Sequence, residues 1–150
     1  MSKKSAKIQN LISGYNHPEH DPHYLGFFTC FNQQDYYEAH DVLEELWLGE
    51  GKTGTNYHFY KGLIQTAGAF VHLQKHHMYP EHPVHGKRLA PGCRLFRLAL
   101  ANLEQFPQSH RGLDLSEIRS LNQDHITKLE SFPDLNPWLP ENPPHLSLPL

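Results

Sequence analysis

Several things are scarce in this chain of 150 residues. Its 2 cysteines, Cys30 and Cys93, are too few for a disulfide framework or a four-thiolate zinc site. A reduced, cytoplasmic setting is the expectation. Charged residues make up only 19% and sum to a formal charge of −3. Nucleic-acid surfaces concentrate positive charge, so no nucleic-acid partner is expected. No apolar run approaches the ~20 residues of a membrane span, so no membrane partner is expected either. The basic start, Met1-Ser2-Lys3-Lys4, is not followed by an apolar stretch and does not read as a signal peptide. No segment sustains period-two alternation, so strands leave no signal. Gly49, Gly51 and Gly54 with Lys52 lack the spacing of a phosphate-binding loop.

What is present is helical periodicity, with 13 histidines and 12 prolines. The expectation is a single all-α domain, long enough to bury a core. It is a bundle of about four helices over residues 25–131. An irregular lead-in, 1–24, precedes it, and an extended Pro-rich tail, 132–150, packs on it through Trp138 and several leucines. Tyr24 to Phe28 forms a short apolar segment against the body.

The first helix is expected over 33–48. Asn32 is its N-cap, Asp35 stands in the capping-box position, and Phe31 and Tyr36 take the staple positions. Gly49 and Gly51 end it. The second helix spans 55–78, with a wide apolar face and the small residues Gly62, Gly68 and Ala69. The third spans 86–106, becoming regular near Pro91 and stopping at Pro107. The fourth spans 115–130, capped by Asp114, with His125 in its apolar stripe.

Polar residues interrupt two of these apolar stripes. At 100° per residue, Tyr36, Ala39, Leu43, Leu46 and Trp47 fall on one side of the first helix. His40 lies inside that stripe and Glu44 at its edge, while Glu38, Asp41 and Glu45 point away. On the second helix Lys61, Gln65, His72 and His76 line one side. Antiparallel packing through the small residues brings His40 and Glu44 to Gln65 and His72. Buried polar groups need partners, so a network is required there.

Three uses of such a network stand open. His40, Glu44 and His72 are candidate ligands of one divalent metal. Glu44 is also placed to orient His40 for acid–base catalysis. The four groups can equally satisfy one another and lock the helix register. The two-histidine zinc helix is absent, because position 44 is Glu. The Glu-x-x-His pairs of di-iron bundles are absent too. The clusters His17, His20, Asp21, His23 and His76, His77, His82, His85 read as solvated loops. Cys30 and Cys93 read as packing residues, and Lys87, Arg88, Arg94 and Arg97 as a solvated helix face.

The run Tyr36-Tyr37-Glu38-Ala39-His40-Asp41-Val42-Leu43-Glu44-Glu45-Leu46-Trp47 resembles the F/Y-E-A-H-E-x-L-E-x-x-W signature of domain of unknown function family 309. Gly62-Leu63-Ile64-Gln65, with Ala67, Ala69, His72 and Leu73, is similar to its second signature, G-L-I-Q-x-A-x-A-x-x-H-L. Asp41 replaces the usual Glu. Lys75-His76-His77 stands where a Gly-Asn turn is common. The resemblance implies a small helical bundle and no particular reaction.

Two functional expectations follow. One is a small-molecule or metal-dependent enzyme, hydrolase-like, using His40 as ligand or base and Glu44 as its partner. Gln65 would orient the ligand, and His72 would be a second ligand or acid. The other is a non-enzymatic interaction or assembly module with the cluster as a structural lock. An exposed aromatic tail of this kind suits a homodimer.

Overall fold

The computed structural model describes the backbone of residues 3–150 and side chains from Ala6 onward. Six α-helices follow in order: α1 (Lys3–Ile12), α2 (Pro22–Asn32), α3 (Tyr36–Glu50), α4 (Tyr57–Met78), α5 (Leu89–Leu103) and α6 (Leu115–Ser131). A 3-10 turn at His85–Lys87 precedes α5. Strands β1 (Ser109–His110) and β2 (Leu113–Asp114) form a hairpin between α5 and α6.

The all-α class stands, but the expected count of about four helices is corrected to six among the described residues. The expected irregular lead-in contains α1, whose Ile8 and Ile12 are buried one turn apart. The short segment expected at Tyr24 to Phe28 is part of α2. Asp21 caps it, accepting from the His23 N–H, and Pro22 opens it. Its residues Tyr24 to Phe28, Cys30 and Phe31 are all buried. A helix buried on nearly every side has no polar face, and so shows no period.

Asn32, expected to cap the next helix, is the last residue of α2. Its side chain donates to the Leu146 carbonyl and accepts from the Leu146 N–H, both at 2.8 Å. Gln34, at φ 66°, breaks α2 from α3. Asp35 takes the N-cap position of α3 without a side-chain cap bond. Phe31 and Tyr36 do meet, with ring centroids 5.3 Å apart. Pro91 is the third residue of α5, where its missing N–H costs no helical bond. Asp114 caps α6 as expected, accepting from the Ser116 N–H at 3.0 Å. Arg111 and Gly112, both at positive φ, form the two-residue hairpin turn. Strands of two residues are too short to leave a sequence signal.

Consecutive helices from α2 to α6 pack antiparallel. Gly26 of α2 lies against Val42 of α3, and His23 reaches Glu45. Tyr36 stacks on Phe70 at one end of the α3–α4 pair, and Trp47 meets Tyr57 at the other. Gly62 faces Leu103, and Gly92 faces Leu73, across α4 and α5. Arg97 of α5 pairs with Glu130 of α6 at 2.7 Å.

The core centres on Phe70, whose ring lies 5.0 Å from Phe96 and 4.9 Å from His125. Residues 132–150 contain no helix or strand. Trp138 and Leu146 are nevertheless buried, and the Trp138 indole N–H donates to the Tyr36 hydroxyl at 3.0 Å. Among the described residues no helix is long and apolar enough to cross a membrane.

Candidate functional site

A cleft of about 320 Å³ opens among α3, α4 and the start of α5. Tyr37 and His40 line it from α3; Ile64, Gln65, Gly68, Val71, His72 and Lys75 from α4; Arg88 and Leu95 from the α5 side. Three of the four candidates therefore share one wall system: His40, Gln65 and His72. Glu44 stands beside His40, with Oε2 3.6 Å from Nδ1. That is an electrostatic contact rather than a hydrogen bond.

Gln65 and His72 each have a hydrogen-bond partner on the α5 side. The Gln65 carbonyl oxygen accepts from the Asn102 amide at 2.7 Å. His72 Nδ1 accepts from Arg88 Nη1 at 3.0 Å. Both bonds run from α4 to the α5 side, because the small residues of α4 face α5. A Cβ on Gly62 would sit 2.8 Å from Leu103, and one on Gly68 would sit 3.3 Å from Leu95. At the cleft, α3 also meets Gly68 and Gln65 of α4 through Tyr37 and His40.

The buried line of α3 is Tyr36, Ala39, Val42 and Leu43. It is displaced from the expected stripe, so His40 sits on its rim. The side chains of His40, Asp41 and Glu44 are 34%, 14% and 26% exposed. Asp41, expected to point away, is more sheltered than His40, and its Oδ1 lies 3.3 Å from His40 Nδ1. Glu45, also expected outward, reaches the ring of His23 at 3.0 Å, and Asp21 holds the other ring nitrogen at 2.8 Å.

These contacts set the tautomers. Carboxylates only accept, so the His40 nitrogen facing Asp41 and Glu44 carries the proton. Its Nε2 then keeps a lone pair. An arginine only donates, so His72 Nδ1 is the acceptor and Nε2 carries the proton. Burial pushes the His72 pKa down to about 4, with Arg88, Lys75 and Arg94 adding repulsion. At neutral pH His72 is an uncharged donor.

Arg88 was not singled out by its sequence, which reads as a solvated helix face. It stands one residue before α5 and binds three histidines. Besides His72, its Nε donates to His85 Nδ1 at 2.9 Å, and its backbone N–H donates to His76 Nδ1 at 3.2 Å. The density of histidines over 76–85 is the only sequence signal pointing to this arrangement. Burial also holds the His76 pKa below its ordinary value.

His40, Asp41 and Glu44 each offer one ligand atom, all within 4.8 Å of one another. That spacing matches a divalent cation's ligand set. It includes Asp41 and leaves out His72, whose Nδ1 is tied to Arg88. Cys30 and Cys93 are free and buried. Burial raises the Cys30 thiol to about 11, with Asp35 and Glu38 adding to the shift.

An uncharacterized protein of Aquifex aeolicus (strain VF5) is 32% identical over 91 residues, which is 61% of this chain. The chain spans only 24% of that relative's length. No solved structure matches the chain. Residues 24–79 match the family described as Domain of unknown function (DUF309). That segment contains α3, α4 and nearly all of α2, and with them His40, Gln65 and His72. The likeness to the DUF309 family thus rests on residues 24–79.

Proposed function

We propose that the cleft is a small-molecule site of hydrolase type, with His40 as general base. The observation that carries this reading is the hold on His40 Nδ1 by Asp41 at 3.3 Å and Glu44 at 3.6 Å, at the cleft wall. Two carboxylates at one ring nitrogen fix the ring's orientation and tautomer, leaving Nε2 as the proton acceptor. In hydrolysis His40 Nε2 takes a proton from water as its oxygen attacks the substrate's acyl carbon. As the tetrahedral intermediate breaks down, His40 returns that proton from Nε2 to the leaving group. His72 Nε2–H and the Gln65 amide are the neutral donors available to a developing oxyanion. Ile64, Val71 and Leu95 supply the apolar wall.

The test is a panel of small p-nitrophenyl esters and anilides, with wild type beside His40→Ala. A positioned general base contributes roughly 10²–10⁴-fold, so the variant should lose turnover by about that factor. Metal content of the same two proteins decides how His40 is used. Near-stoichiometric divalent metal lost in His40→Ala makes the ring a ligand, with Asp41 and Glu44 as its neighbours. A metal-free active protein leaves it as the base.

The second reading is a non-enzymatic module in which the polar groups lock the bundle. It is favoured by the Gln65–Asn102 and His72–Arg88 bonds, which tie α4 to the α5 side. Phe132 and Leu135, both largely exposed, then offer a surface for a partner or a second copy. Under this reading His40→Ala lowers stability and changes no turnover.

A further inference from the structure

We propose that the ligand of the cleft is a small amphipathic carboxylate, its carboxylate seated on Arg88 and Lys75 and its apolar body against Ile64, Val71 and Leu95. The inference rests on the reading of the cleft as a small-molecule site, and not on His40 being a base.

The charges of the lining point one way. Arg88 and Lys75 are its two cations, and no aspartate or glutamate lines it. Asp41 and Glu44 stand behind His40 on the α3 side, at the ring nitrogen that carries the proton. An arginine in a cleft without a carboxylate partner favours an incoming anion. Arg88 contacts histidine nitrogens instead: Nη1 is on His72 and Nε on His85. Those bonds orient the guanidinium without neutralising it. His72 remains uncharged at pH 7, held down by burial and by Arg88 itself. Arg88 is also the N-cap of the 15-residue α5, and no side chain caps that helix. The positive end of the helix dipole thus adds to the same end of the cleft.

The class of anion follows from what Arg88 has left. Its Nε–H and one Nη1–H are committed, which blocks the side-on Nε/Nη2 edge and leaves Nη2 and one Nη1–H for an incoming anion. Those donors are enough for a planar carboxylate, and the apolar lining argues for an anion that carries an organic body. The rest of the lining is mostly apolar, with Ile64, Gly68, Val71 and Leu95 along it. An aryl or branched alkyl body fits there, and a free inorganic anion would leave that wall wet.

The test uses matched probes of one shape: phenylacetate, its neutral amide phenylacetamide, and phenyl phosphate. Each is titrated calorimetrically and by amide chemical shifts into wild type, Arg88→Gln and Lys75→Gln. Phenylacetate should bind wild type about tenfold or more tighter than phenylacetamide, the worth of one charge-assisted bond. It should also bind more weakly as salt is raised. Arg88→Gln should lose about the same factor and Lys75→Gln a smaller one. Lys75 makes no hydrogen bond to the histidines, so its variant keeps the inference testable if Arg88→Gln folds poorly. Equal binding of acid and amide, no binding of the acid, preference for phenyl phosphate, or binding that survives both cation variants would each overturn the proposal. If phenylacetate binds through Arg88 while no ester is turned over, the carboxylate site stands and the hydrolase reading falls. If esters are turned over and phenylacetate does not bind, the reverse holds.

Discussion

Arg88 donates from Nη1 to Nδ1 of His72 across 3.0 Å, so a fixed cation decides which nitrogen of that ring carries the proton. The same contact makes protonation of His72 unfavourable, behind the larger effect of burial. The folded pKa is about 4, against 6.5 for the free side chain. Between those values the unfolded chain binds the proton and the folded chain does not. Stability is therefore full above about pH 6.5 and declines as pH falls toward 4. His76, His110 and His125 are shifted in the same direction and add to the decline. Melting curves between pH 4 and 7 should show it, and His72→Gln should flatten it. Equal slopes in the two proteins would contradict the assignment.

The two small residues of α4 that face α5 should respond differently to enlargement. Gly62→Ala places a Cβ 2.8 Å from Leu103 and 3.2 Å from the Ala99 carbonyl. Overpacking of this kind costs about 1–3 kcal/mol, more than the ~1 kcal/mol gained in helix propensity. Gly68→Ala meets only the end of Leu95 at 3.3 Å. Its stability should match wild type or exceed it slightly, while the added methyl narrows the cleft. Urea denaturation of the two variants checks the contrast.

How much of this was legible in the sequence depended on exposure. α3 to α6 have one wet face each, so their apolar periods show, and Asp114 announces the start of α6. α2 has no wet face and left only an apolar run. α1 was hidden in a segment read from its polar residues, although Ile8, Leu11 and Ile12 recur at helical spacing. The candidates His40, Gln65 and His72 were legible because polar residues interrupt apolar stripes. Their partners were not. A wheel places a residue on a side of its own helix but does not say which neighbour lies there. Gln65 met Asn102 rather than His40, and Arg88 depended on how the 79–88 segment folds back onto α4.

A buried pair elsewhere tests the core without touching the cleft. Asn122 and Thr66 are fully buried, and the Asn122 amide donates to the Thr66 hydroxyl at 3.0 Å and to the Ile118 carbonyl at 2.9 Å. Asn122→Ala should cost about 1–3 kcal/mol by leaving polar groups unpaired in a dry interior. Any activity measured per folded molecule should be unchanged. An unaltered denaturation midpoint would contradict the buried bond.

The segment after α6 is held by specific side chains. Trp138 is buried and bonded to the Tyr36 hydroxyl. Trp138→Ala should lower stability by about 3–5 kcal/mol, the usual cost of emptying a large aromatic site. Trp138→Phe should recover most of it, and Asn32→Ala should speed amide exchange at Leu146. A stable Trp138→Ala protein would show that residues 132–150 do not contribute to the fold.

The most direct test of the central claim measures turnover and melting temperature side by side for wild type and His40→Ala on the ester and anilide panel. A catalytic His40 on the rim predicts turnover reduced by roughly 10²–10⁴-fold with the melting temperature nearly unchanged. A melting temperature lowered by several degrees with no wild-type turnover to lose would make the polar cluster a structural lock and contradict the account.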